Sequence, residues 1–220
     1  MQLDRSIVAG SALALLALAA AANAQSVTLN TGPFTASPGG EFNATYFSFP
    51  STPSSLTGGS FFETFCLEHT ENFSAGGNYL VSFATAAVGG GGGAVAGQDL
   101  LDERTAYLYA NFINGVLPGY DYSNGGGLRT TNAGELQNVI WFLEGEAVPA
   151  PASPYELFLF AFSAGGIGQG LGGVQVANLY SVDAQGARTE HQSQLVMFVP
   201  GPGAAGLLGL AAIGLTRRRR

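Results

Sequence analysis

Two blocks of strand-like sequence enclose a block of helix-like sequence, and this order restricts the fold more than any other feature of the chain. "SVTLN" (26–30) and "FNATYFSF" (42–49) alternate closely enough for β-strands. "PSTPSSLTGGS" (50–60) is a loop by its residues. "FFETFCLE" (61–68) and "NYLVSFATAAV" (78–88) read as further strands, and the turn-like "ENFSAGGN" between them suggests a hairpin. "GVQVANLYSV" (173–182) and "QSQLVMFV" (192–199) return to strand character. The expected class is α+β: a β-rich single domain whose N- and C-terminal strands share an antiparallel sheet or sandwich, with about three central helices.

The helices are legible from their periodicity and caps. Leu101, Thr105, Leu108, Tyr109 and Phe112 fall on one helical face, with Asp99 or Asp102 available as a cap and Asn114-Gly115 as a stop. In "TNAGELQNVIWFLEGE", Asn132 and Glu135 have the spacing of a loose capping box, and Leu136, Val139, Ile140 and Leu143 form the apolar face. Gln137 falls on the flank of that face, able to reach a neighbouring strand. Ser153, Pro154 and Glu156 open a third helix as cap, first-turn proline and capping-box partner.

The ends of the chain carry addresses. "SIVAGSALALLALAAAANA" is a short apolar run closing on Ala22-Asn23-Ala24, the form of a secretory signal at residues 1–24. The body is then expected at 25–195 and a tail at 196–220. In that tail an apolar stretch of 13 residues, Gly203 to Leu215, precedes Arg217, Arg218, Arg219 and Arg220. It falls short of the about 20 residues of a free-standing membrane helix, and the arginines would keep the C-terminus on the cytoplasmic side. Val199, Pro200 and Pro202, the apolar stretch and the basic end together resemble the PEP-CTERM sorting signal, with Gly201 where that class has glutamate. The resemblance implies a bacterial envelope protein, held at the membrane by its tail until an exosortase-type transpeptidase processes it, and destined for the outer surface or extracellular matrix.

Charge narrows the partners. Of 15 acidic residues and 8 arginines, Asp4 and Arg5 lie in the signal and four arginines in the tail. The body keeps 14 acids against Arg104, Arg129 and Arg188, a net charge of −11. Such a body repels nucleic acid and anionic lipid. No lysine occurs, which excludes lysine isopeptide bonds within the domain. The glycine-rich "AVGGGGGAVAGQD" (87–99) lacks the Gly-Lys-Ser/Thr of a phosphate loop and reads as a surface connection. No cysteine–histidine cluster suits zinc, and "DYSNGGG" (121–127) lacks the spacing of a calcium loop, so no metal or cofactor is expected.

The chain has one cysteine, Cys66, in "TFCLE", and a glutamine, Gln137, in "LQNVIW" 71 residues later. This pair resembles the two signatures of bacterial thioester (TQXA) domains, an aromatic-Cys-aliphatic strand and a glutamine just before Ala-Ile-Trp. Leu136 and Val139 replace the usual threonine and alanine. The resemblance covers about 61–146 and implies an adhesion domain. There, a cysteine thiolate displaces ammonia from the glutamine carboxamide, and the resulting thioester couples to an amine or hydroxyl on a surface, matrix or polysaccharide partner. Such a protein acts once and is not an enzyme. Phe61, Phe62, Phe65, Trp141 and Phe142 are candidates for a dry shell, and Glu68, His69 and Glu144 for proton movement.

Plainer readings stand beside this one. Cys66 can be an inert core residue of a structural or biofilm-matrix protein, or can form an intermolecular disulfide. A cysteine hydrolase would need a histidine, and strand alternation sends His69 to the face opposite Cys66.

Overall fold

Alternation sets the inward face of the early strands in the computed structural model, which describes residues 24–37, 39–125 and 127–199. β1 (Ser26–Thr31) buries Val27 and Leu29, β2 (Phe42–Phe47) buries Phe42 and Ala44, and β4 (Gly77–Ala84) buries Tyr79 and Val81. With β3 (Phe61–Thr64), β7 (Val174–Val182) and β8 (Arg188–Met197) they form one six-stranded sheet in the order β3-β2-β1-β4-β7-β8. Every neighbouring pair is antiparallel. First and last strands therefore share a sheet, and the domain is α+β and β-rich. β5 (Ala86–Val88) and β6 (Gln98–Leu100) form a small separate ladder with the glycine-rich segment as its loop.

The expected hairpin of the third and fourth strands does not form. β3 pairs with β2, whereas β4 lies between β1 and β7. After Thr64 the chain runs on along the free edge of β8 instead of turning back. The Leu195 N–H donates to the Phe65 carbonyl and the Leu67 N–H to the Ser193 carbonyl, both at 3.0 Å. The Thr64 hydroxyl donates to the Leu195 carbonyl at 2.6 Å. The two edges of the sheet thus meet, and the sheet curls around a core.

α1 (Glu103–Ile113) starts at Asp102, whose side chain accepts from the Arg104 N–H, and ends at Asn114 before Gly115 at φ +71°. α3 (Pro154–Ser163) starts with the Ser153/Glu156 capping box. α2 (Gly127–Leu143) begins five residues before Asn132, so Asn132 is not its cap. Its side chain instead accepts from the Asp121 N–H at 3.0 Å and holds the preceding loop to the helix.

The apolar side chains divide into two clusters. Phe65 and Leu67 join the helices, with Leu108, Phe112, Leu136 and Ile140. Cys66 faces the other way, into the curl, with Phe62, Tyr79, Leu179, Val196 and Trp141. Alternation at 65–67 thus places the cysteine on the inside of the curled sheet. Among the described residues no helix is long and apolar enough to cross a membrane.

A buried ion pair ties the start of β2 to α2. The Arg129 guanidinium donates through Nη2 at 2.5 Å and Nε at 3.0 Å to the Glu41 carboxylate. Both side chains are 3% exposed. The Tyr120 hydroxyl donates to the same carboxylate at 2.9 Å. The strand therefore has a fixed position against the helix that carries Gln137.

The described residues take in the expected body except 38 and 126, and continue past 195. β8 runs to Met197, and the Val199 N–H donates to the Thr52 carbonyl at 3.1 Å. Residues 1–23 of the expected signal lie outside the described residues. So do Pro200, Pro202 and Arg217–Arg220 of the sorting motif.

Candidate functional site

Cys66 lies where the two sheet edges meet, opposite Gln194 of β8 in a non-hydrogen-bonded antiparallel pair. In such a pair the ladder bonds belong to the flanking residues, here Phe65 and Leu67. The N–H and C=O of Cys66 consequently point away from β8 and need other partners. The Gln137 side chain supplies both. Its Oε1 accepts from the Cys66 N–H at 3.0 Å, and its Nε2 donates to the Cys66 carbonyl at 2.7 Å.

Gln137 is fully buried, where the helical wheel placed it on a flank. The wheel counts only the faces of one helix. α2 is covered on a second side by the curled sheet and by Ala36, Gly39 and Gly40, so its flank is interior as well. Gly39 makes that contact close: a Cβ there would come 2.9 Å from Gln137 Cγ and 2.8 Å from Trp141 Cη2.

Beside Cys66 is a cavity of about 260 Å³ lined by Phe42, His69, Glu71, Phe73, Trp141 and Gln192. Trp141 is one helical turn beyond Gln137, and His69 meets its ring edge-on with centroids 4.7 Å apart. His69 therefore shares this cavity with Cys66, contrary to the expectation of opposite faces. The ladder bonds to β8 end at Leu67 and the chain bends there, so period-two alternation does not reach residue 69.

The site is electrostatically severe. Burial pushes the Cys66 thiol up to about 12, with the nearby Glu68 carboxyl adding to the shift and a hydrogen bond from Gln194 opposing it. That bond runs from Gln194 Nε2 to the sulfur at 3.3 Å. Glu68 is fully buried, its Oε2 accepting from the Ser193 N–H at 3.1 Å. Burial and the adjacent Glu71 carboxyl push Glu68 upward as well. Such surroundings hold Cys66 as a neutral thiol rather than a thiolate.

The remaining expected site residues separate. Phe65 is fully buried, but it packs edge-on against Phe112 in the helical cluster at 4.9 Å, away from the sulfur's side. Phe142 packs on Phe160 of α3. Phe62 and Trp141 share the cluster of Cys66. Glu144 does not belong to this site. It lines a different, larger cavity of about 530 Å³ at the start of α1, near Asp99 and Asp102. There burial pushes it up to about 8. Glu144 is close to Gln137 in sequence, but it follows Leu143, the last residue of α2, and faces this other cavity.

Gln194, Gln192, Phe42, Phe73 and Gly39 belong to the site and carry no motif. Only the pairing of β8 with residues 65–67 brings the two glutamines to Cys66. No protein family, curated protein or solved structure was found to match the chain.

Proposed function

We propose that this chain is an exported cell-surface or envelope protein whose domain forms an internal thioester between Cys66 and Gln137. The bond then attaches the protein covalently to a nucleophile on a surface, matrix or polysaccharide partner. The C-terminal tail is the substrate of an exosortase-type transpeptidase and holds the protein at the membrane until it is processed.

One observation carries the reading: the Gln137 carboxamide is locked on the backbone of Cys66 at both its oxygen and its nitrogen. The Cys66 N–H stands 3.0 Å from the carbonyl oxygen, within the range of about 2.7–3.1 Å that suits a donor to a developing oxyanion. The sulfur attacks Gln137 Cδ, the C–N bond breaks, and the thiol proton leaves with the nitrogen as ammonia. Later a partner amine or hydroxyl attacks the same carbon through the cavity beside Trp141. The C–S bond breaks, its electron pair returns to sulfur, and the partner's proton regenerates the thiol.

A second reading has support in the same contact. A carboxamide that satisfies two buried backbone groups performs a structural task without any reaction, as an inert Cys66 in a matrix protein would require. Labelling separates the two. The thioester reading expects methylamine to be incorporated once, at Gln137, with release of a free Cys66 thiol. Absence of incorporation in folded protein at alkaline pH would favour the structural role.

A further inference from the structure

We infer that Gln194 is a positioning residue for the sulfur of Cys66: its amide N–H carries the charge that develops on sulfur when the thioester forms and when it opens. The inference rests on the thioester reading and adds a residue that no motif marks.

Three observations converge on Gln194. Its Nε2 lies 3.3 Å from Cys66 Sγ, and among the described residues this is the side-chain hydrogen bond made to that sulfur. The same nitrogen donates to the Gln192 carbonyl at 3.3 Å. Flipping the amide would set its oxygen against the Gln192 carbonyl oxygen, which can only accept. The donor is therefore held toward sulfur. The third observation is the carbonyl end: among the described residues, the buried Gln194 Oε1 has no hydrogen-bond partner. No group on that side therefore turns the amide away from the sulfur.

The chemistry needs a donor here. In thioester formation the sulfur loses its proton before or as it attacks Gln137 Cδ. In opening, the C–S electron pair returns to sulfur. In both steps negative charge appears on an atom that is buried away from water. The titratable neighbours are Glu68, two residues along the chain, and His69 and Glu71 across the cavity. Glu68, once ionised, adds repulsion. A neutral N–H donor fixed on the sulfur supplies stabilisation without a counter-charge. It stands on the strand opposite Gln137, so the reacting carbon and the charge-holding donor approach Cys66 from two sides.

The test compares Gln194→Met and Gln194→Glu with the parent protein. It reads methylamine opening of the thioester across pH, and the rate at which a small methylthiolating reagent modifies the opened thiol. Gln194→Met is expected to fold and to slow both reactions about tenfold, the equivalent of one pH unit in thiolate supply. Gln194→Glu is expected to be slow at alkaline pH and to recover as its carboxyl gains a proton and can donate. A merely structural role would not produce that recovery. Parent-like rates in folded Gln194→Met at every pH would overturn the inference. If the parent forms no thioester, the thioester reading fails. The thiol of the untreated protein then decides Gln194 alone: slower modification in Gln194→Met supports it, and an unchanged rate overturns it. Ammonia loss that survives Gln137→Ala but not Gln194→Met would make Gln194 the acyl donor and overturn both.

Discussion

The side-chain amide of Gln137 completes the backbone pairing of Cys66, accepting from its N–H at 3.0 Å and donating to its carbonyl at 2.7 Å. A residue on a helix thus occupies the place where a seventh strand would bond. Replacing it leaves two buried backbone groups without partners. Gln137→Ala should cost roughly 1–3 kcal/mol for each group left unpaired, less whatever water recovers. Denaturant unfolding of Gln137→Ala in a Cys66→Ala background isolates this cost from any covalent bond. Stability within about 0.5 kcal/mol of the Cys66→Ala protein would show that the pairing is dispensable.

Gly39 governs how closely Gln137 and Trp141 approach the strand region. Gly39→Ala introduces a Cβ that would lie 2.8–2.9 Å from both side chains, and overpacking of this kind costs about 1–3 kcal/mol. The expected results are a shifted Trp141 fluorescence maximum and slower thioester formation. Gly125→Ala, where a Cβ meets nothing within 4 Å among the described residues, is the matched control and should change neither.

The Glu41–Arg129 pair is the buried tie between β2 and α2. Arg129→Met leaves the Glu41 carboxylate buried without its cation, a loss on the order of 3–5 kcal/mol. The double variant Glu41→Leu/Arg129→Met removes both charges and should recover much of that loss. Urea unfolding midpoints of the two variants test the coupling, and equal midpoints would contradict it.

Burial sets a direction for stability against pH. Glu144, pushed up to about 8, keeps its proton in the folded domain where the unfolded chain has already ionised. The unfolded state therefore binds fewer protons between the ordinary carboxylate range and about pH 8. Stability contributed there is full at the acid end and is lost as pH rises, by at most about 1.4 kcal/mol per pH unit for one proton. Glu68 acts in the same direction. The melting temperature should fall from pH 5 to pH 8, and Glu144→Gln should flatten the fall. A profile that rises over this interval would contradict these assignments.

Much of the fold was legible because its signals are local. The capping box at Ser153 and Glu156, the Asp102 cap and the alternation of Val27 with Leu29 each depend on a few adjacent residues. The pairing of strands was not local. "FFETFCLE" followed by a turn and "NYLVSFATAAV" looks like a hairpin until β8, more than 100 residues away, claims the edge beside Cys66. The site divides in the same way. Cys66 and Gln137 stand in recognisable short patterns and the fold brings them together. Gln194 has no pattern because cross-strand register alone brings it to Cys66, and Glu144, close to Gln137 in sequence, lies past the end of α2 in another cavity. Asn132 resembled a cap because the glycines before it gave no sign of continuing the helix.

The intact mass of the folded body measures a covalent bond between Cys66 and Gln137 directly. The predicted result is a mass lower than the sequence mass by one ammonia, restored to the full value in Cys66→Ala after allowance for the substitution. A parent protein of full sequence mass, with Cys66 reactive as a free thiol in the native state, would contradict it.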